Sequence, residues 1–335
     1  MKNWKLLTVL MAMMLLVLAA CSSKDEAETD KGDSAENKPA EESTGDATAY
    51  PLTIPGSTSG ENTFADVTLE KQPENVVVFD YGFLDTLDAL GVEVAGVAQK
   101  SVPEYLSKYT DTTYMNVGSL KEPDFEALSS MNPDIIFISG RQASAYEELS
   151  KIAPTVFVGV DNTNFIESFK VNTELAGKIF GKEKEAADAF AAYEAKVEEI
   201  KAKTATSEEK ALIVLGNEGS LSAYGPGSRF GVIHDVFGVK PADENIEAST
   251  HGANASFEYV RDTNPDILFV VDRDAAVNSE GESGTKAAIE NEIVGATNAA
   301  KNGKIFYLDP QYWYLSGGGI TSETAKADDV LKAFN

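Results

Sequence analysis

One pattern in this 335-residue chain occurs twice, and in register. Phe125-Glu126, Asn132-Pro133-Asp134-Ile135, Phe137 and Arg141 return as Phe257-Glu258, Asn264-Pro265-Asp266-Ile267, Phe269 and Arg273, each pair 132 positions apart. A single Asn-Pro-Asp-Ile match is a commonplace helix-to-strand turn. Eight matches at one offset, ending on the same cation, argue for two lobes built on one plan.

Each copy has a direct physical reading. Phe-Glu opens a short helix and Asn-Pro-Asp ends it, because proline drives the residue before it out of the helical region. The apolar runs that follow, Ile135-Ile136-Phe137-Ile138 and Ile267-Leu268-Phe269-Val270-Val271, suit strands buried on both faces of a parallel sheet. Arg141 and Arg273 then stand just past the carboxyl ends of those strands, where open α/β sheets present their ligand sites. Two sheets facing each other would aim both arginines into one cleft.

The chain begins with an export signal at residues 1–20: Lys2 and Lys5, an apolar run from Leu6 to Leu18, then small residues. The run is short of the roughly 20 residues that a membrane span needs. Leu18-Ala19-Ala20-Cys21 looks like a bacterial lipobox, so Cys21 is expected to carry a lipid. It is the sole cysteine, which rules out an intramolecular disulfide. Residues 21–49 are low in complexity and lack aromatics, and are expected to form a disordered tether.

Strands alternating with helices through the remainder make the class α/β. The expected layout is an N-terminal lobe over 50–163, a connecting helix over 164–182 and a C-terminal lobe over 183–335. Leu52 to Leu69 carries hairpin signals. Gln142 to Ile152 reads as a helix. Phe180-Gly181-Lys182 marks a helix end. In the helix after it, Phe190, Tyr193, Val197 and Ile200 form a core-facing stripe. The C-terminal lobe begins at Ala211 to Leu215 and has its last strand at Ile305 to Leu308.

A net charge of −26 disfavours nucleic acid and anionic lipid as partners, leaving the membrane to be met through the lipid anchor alone. It also makes clustered arginines informative. Arg229, opening a helix after the Gly225-Pro226-Gly227-Ser228 turn, joins Arg141 and Arg273 as a candidate anion clamp, since guanidinium forks suit delocalised oxyanions. Of the two histidines, His234 falls in an apolar-flanked helix and is expected to be structural. His251 falls in a polar loop, where function is the better reading. Tyr312, Trp313 and Tyr314 stand past a strand end, and a phenol beside a histidine offers ferric iron an oxygen and a nitrogen. Enzyme signatures are missing: no phosphate loop, dinucleotide fingerprint, H-E-x-x-H or nucleophile elbow. No catalysis is expected.

These residues together resemble the substrate-binding lipoproteins of bacterial iron–siderophore ABC transporters, and within them the catecholate subgroup. The motifs are Val76-Val-Val-Phe-Asp-Tyr-Gly82, Asn116-Val-Gly-Ser-Leu-Lys-Glu-Pro-Asp-Phe125 and Ile138-Ser-Gly-Arg-Gln142. Beyond them come Gly225 to Gly238, Ser249-Thr-His-Gly252, Val271-Asp-Arg273 and Tyr307 to Gly317. The resemblance implies two α/β lobes with central parallel-type sheets joined by one long helix, and a ligand cleft between the lobes. It implies that Arg141, Arg229 and Arg273, with Tyr81 beside them, hold a ferric catecholate, either petrobactin-like or a tetradentate bis-catecholate. His251 and Tyr314 would complete iron coordination, and Glu126 and Glu258 would dock on permease subunits. It implies a monomer with no intrinsic cofactor, carrying ferric iron as the siderophore complex. Two other readings stay open: a receptor for haem or another metal chelate in the same fold, or a surface metal-dependent hydrolase using His251.

Overall fold

The computed structural model describes residues 49–277 and 284–335. The export signal, Cys21 and all of the tether but its last residue lie outside the described residues. The described chain opens with two small antiparallel pairs. β1 (Leu52–Ile54) pairs with β4 (Val67–Leu69), and between them β2 (Ser57–Ser59) pairs with β3 (Asn62–Phe64).

The first sheet is wholly parallel. It holds β5 (Val76–Val78), β6 (Gly96–Val97), β7 (Met115–Asn116), β8 (Ile135–Ile138) and β9 (Thr155–Phe157) in the order β7-β6-β5-β8-β9. All four β8 side chains are buried. The second sheet contains β10 (Lys210–Asn217), β11 (Ser220–Tyr224), β12 (Lys240–Pro241), β13 (Ala253–Ala255), β14 (Ile267–Asp272) and β15 (Ile305–Leu308). Its order is β13-β11-β10-β14-β15, with β12 beside the start of β10. This sheet is mixed, because β10 doubles back into β11 through Glu218 (φ +50°) and Gly219 (φ +77°). Two positive-φ residues are what a tight hairpin turn demands. Alternate residues of β10 and β14 fill separate cores on the two faces: Ile213, Leu215 and Phe269 on one, Leu212, Val214 and Leu268 on the other.

The repeated motif does the same work in both sheets. Asp124 and Ser256, again 132 apart, accept backbone N–H groups at the starts of the helices Phe125–Met131 and Phe257–Thr263. Asn132 (φ +51°) and Asn264 (φ +47°) end those helices in the left-handed conformation, which Asn tolerates better than most residues. The Asp134 carboxylate then accepts from Glu74 N and Asn75 N at 2.9 Å, and Asp266 from Lys210 N at 3.1 Å. Each aspartate thereby sets the entry of the neighbouring strand, β5 or β10. Asn132 is exposed. Asn132→Val is therefore expected to lower stability by about 1–2 kcal/mol through backbone strain alone, while Asn132→Gly stays near neutral. Urea unfolding of the two variants checks this.

The helix Phe165–Phe180 carries Phe165 and Phe169 into the core of the second lobe, and Ala176, Ile179 and Phe180 into that of the first. Gly181 (φ +63°) closes it. The helix Glu183–Thr204 then packs back against it, adding Ala186 to the first core and the Phe190, Tyr193, Val197, Ile200 stripe to the second. The stretch from Gln142 to Ile152 is shorter in helix than its composition implies. It forms a 3-10 turn, Gly140–Ala145, under a Ser139–Gln142 capping box, then the single turn Tyr146–Leu149.

Candidate ligand-binding cleft

Three turns at strand ends supply the arginines. Arg141 follows β8 in the 3-10 turn held by Gln142, whose side chain accepts from Ser139 N at 3.0 Å and donates to Leu120 O. Arg229 follows β11, on a turn locked by Asp235, which accepts from Gly227 N at 2.6 Å. Arg273 opens the helix directly after β14, where Asn217 at the end of β10 accepts from its Nη1.

All three converge on Tyr314. Arg141 and Arg229, one from each lobe, donate to the Tyr314 carbonyl at 3.0 and 2.5 Å. Arg273 Nε donates to the Tyr314 hydroxyl at 3.0 Å. The Arg229 guanidinium also lies 4.4 Å from the centre of the Tyr314 ring, a cation–π distance. Tyr314 itself sits in the π-helical turn Gln311–Leu315. Such turns displace one residue from the regular helical path, here a tyrosine presented to three cations.

The electrostatics favour an anion. Among the described residues the nearest carboxylate partner of the three is Asp274, 3.8 Å from Arg273. Burial first, then the neighbouring Arg141 guanidinium, pushes the Arg229 pKa down. Burial raises the Tyr314 phenol, but Arg229, Arg273 and Arg141 together outweigh it and hold the phenol below its ordinary value. A phenol disposed to ionise is a hard oxygen donor.

His251 is exposed on the loop before β13. Its backbone is fixed: Tyr224 Oη donates to His251 O at 2.9 Å, and Ser249 Oγ accepts from His251 N at 3.1 Å. Gly252 (φ +73°) lies so close to Tyr224 that a Cβ there would stand 2.8 Å from the ring. The Tyr224 ring also packs 4.6 Å from that of Phe230, the residue after Arg229, and Arg229 N donates to Ser249 O, so the histidine loop is tied to the Arg229 turn. Tyr224 and Asn217 were not singled out in the sequence. The hairpin that brings them to the site is the antiparallel element that the pattern did not reveal.

Tyr81 requires a correction. It is fully buried, and its hydroxyl donates to Ala98 O at 2.5 Å. Its place is in the first core rather than on the ligand surface: Asp80 caps the helix Tyr81–Ala89, and every residue from Tyr81 to Leu87 is buried. His234 is buried as expected, with Nδ1 2.8 Å from Val239 O. Glu126 and Glu258 are exposed in the first turns of the two repeated helices. Among the described residues no cluster of three or more His, Cys, Asp or Glu side chains stands ready for a bare metal ion.

Known proteins share this plan. The periplasmic binding protein family model matches residues 76–312. The petrobactin-binding protein YclQ of Bacillus subtilis is 50% identical over 78% of this chain and 82% of its own length. The ferric-anguibactin-binding protein FatB of Vibrio anguillarum is 37% identical over 82% and 86%. The crystal structure of YclQ superposes with a TM-score of 0.80, covering 85% of this chain and 98% of that one. The periplasmic catecholate-siderophore binding protein VctP of Vibrio cholerae gives 0.75 at 34% identity, over 80% and 96%. The two-sheet architecture is the class III binding-protein fold, and the chain belongs to the periplasmic binding protein family, among siderophore-binding members of ABC iron-uptake systems.

Proposed function

We propose that this protein captures a ferric catecholate siderophore, petrobactin-like or a tetradentate bis-catecholate, and delivers it to an ABC permease without catalysis. The observation that carries the proposal is the convergence of Arg141, Arg229 and Arg273 from both lobes on Tyr314, with one carboxylate at 3.8 Å to offset them. A ferric catecholate is flat, bulky and multiply anionic, and cations in a water-poor cleft hold such a ligand more strongly than exposed ones do. His251 and Tyr314 supply a nitrogen and an oxygen that fill the two coordination positions a tetradentate ligand leaves open. Lipidation at Cys21 holds the protein, as a monomer, on the extracytoplasmic face of the cell membrane. Among the described residues no helix is long and apolar enough to cross a membrane.

Trp313, buried beside Tyr314, reports binding. In a fluorescence titration of the full chain with the ferric complexes of a catecholate and a hydroxamate and with haem, the catecholate is expected to quench at about 100-fold lower concentration, roughly 2.7 kcal/mol of preference. Preferential quenching by haem or by the hydroxamate would transfer the protein to another ligand class. Glu126 and Glu258 serve the later step. Glu126→Ala and Glu258→Ala should leave the titration unchanged yet lower siderophore-driven uptake, with the double variant lowest.

A further inference from the structure

The 309–319 segment, which carries Tyr314, is pinned to one face of the C-terminal helix Ile320–Leu331. Glu323, Lys326 and Asp329 follow each other at three-residue spacing, which stacks side chains along a single helix face. Each takes one point of the segment, in reverse order. Glu323 Oε1 accepts from Gly318 N at 2.9 Å. Lys326 Nζ donates to Ser316 O at 3.0 Å and to Glu323 Oε1 at 2.7 Å. Asp329 Oδ2 accepts from Trp313 Nε1 at 3.1 Å. The first two side chains are almost wholly buried, at 0% and 6% exposure, and Asp329 is at 15%.

A buried ion pair is weak evidence for stability, since apolar residues of like volume often replace one without loss. None of the three reaches the arginines in any hydrogen bond or ion pair of the described residues. What they do fix is the path of the backbone on either side of Tyr314. The other lobe grips the same segment: the Tyr105 hydroxyl lies 2.7 Å from Ser316 Oγ, and Glu104 N donates to Gln311 Oε1 at 3.1 Å. Asp85 adds a second anchor, accepting from Thr321 N and Ser322 N at 3.0 and 2.7 Å.

We infer that Glu323, Lys326 and Asp329 are positioning residues that hold the Tyr314 phenol at the place where it completes an unsaturated iron centre, and so set the preference for tetradentate over hexadentate siderophores. The inference rests on the proposed function. A ligand with six donors needs the arginines alone. One with four needs the phenol within bonding distance of iron, a tolerance of a few tenths of an ångström, so backbone play at residues 313 and 316 affects it selectively.

The test compares the full chain with Asp329→Ala, Asp329→Asn, Lys326→Met and the double variant Glu323→Gln with Lys326→Met. The double variant removes the buried charges as a pair, which guards against an unfolded single mutant. Each is titrated with the ferric complexes of a linear bis-catecholate and a hexadentate tris-catecholate, and the visible charge-transfer band of the bis-catecholate complex is recorded. Asp329→Ala and Lys326→Met are expected to weaken the tetradentate ligand about tenfold, equivalent to about 1.4 kcal/mol. They should shift its charge-transfer band and leave the hexadentate affinity within about threefold. Asp329→Asn, which keeps an acceptor for Trp313 Nε1, should restore the wild-type band. Equal losses for both ligands, or no selective loss in folded Asp329→Ala and the folded double variant, would overturn the assignment. A wild-type protein that binds neither ligand would instead remove the siderophore reading on which it stands.

Discussion

Arg229→Ala is expected to weaken ferric catecholate binding by about 100-fold, or about 3 kcal/mol, while leaving the stability of the ligand-free fold within about 1 kcal/mol. The two effects separate because Arg229 is strained by charge rather than supported by it. It is largely buried, it stands beside Arg141, and both donate to one carbonyl oxygen. Removing it loses a hydrogen bond and two cation–π contacts, and relieves both desolvation and like-charge repulsion. With ligand bound, the same removal leaves anionic oxygens unpaired in the cleft, which is the costly outcome. Arg229→Lys should fall between, since an ammonium keeps the charge but not the planar fork. Titration and urea unfolding of the same variants measure the two quantities. Parallel losses in both would mean that the arginine is structural.

Gly82→Ala is expected to destabilise the protein by about 3 kcal/mol and to disturb ligand binding although it lies outside the cleft. A Cβ at Gly82 would stand 2.0 Å from Gly317 O, a backbone atom that no rotamer change moves aside. The partner side is as tight: a Cβ on Gly319 would meet Asp85 Oδ2 at 2.3 Å. This contact joins the helix Tyr81–Ala89 to the segment after Tyr314 through backbone, so relieving the clash is expected to displace Tyr314. Gly295→Ala is the control, because no atom lies within 4 Å of its Cβ. Thermal unfolding should show a large drop for the first variant and almost none for the second.

The repeat made much of this molecule legible in its sequence. The strands Ile135–Ile138 and Ile305–Leu308 occur where the apolar runs place them. Asn-Pro-Asp was legible as a helix end from its proline, whereas the left-handed Asn and the carboxylate on a neighbouring strand's backbone N–H emerge only in the structure. The arginines were legible by position, as cations past strand ends in an acidic chain. Their convergence on a single carbonyl was not, because Arg141 and Tyr314 are 173 residues apart and no local pattern encodes such a pairing. Tyr81 was misread for a related reason. The resemblance set it beside the arginines, and no sequence pattern showed that the helix it opens is buried continuously from Tyr81 to Leu87. Likewise the hairpin at Glu218 and Gly219, which folds β11 back antiparallel on β10 and carries Tyr224 to the histidine loop, had no reading in the sequence.

The most direct test of the account is a crystal structure of the protein with a ferric bis-catecholate. The chelate is expected between the carboxyl ends of the two sheets, with Arg141, Arg229 and Arg273 turned from Tyr314 onto its oxygens. The Tyr314 phenol and the His251 imidazole should occupy the two remaining iron positions. A chelate bound elsewhere, with the three guanidinium groups still on Tyr314, would contradict it.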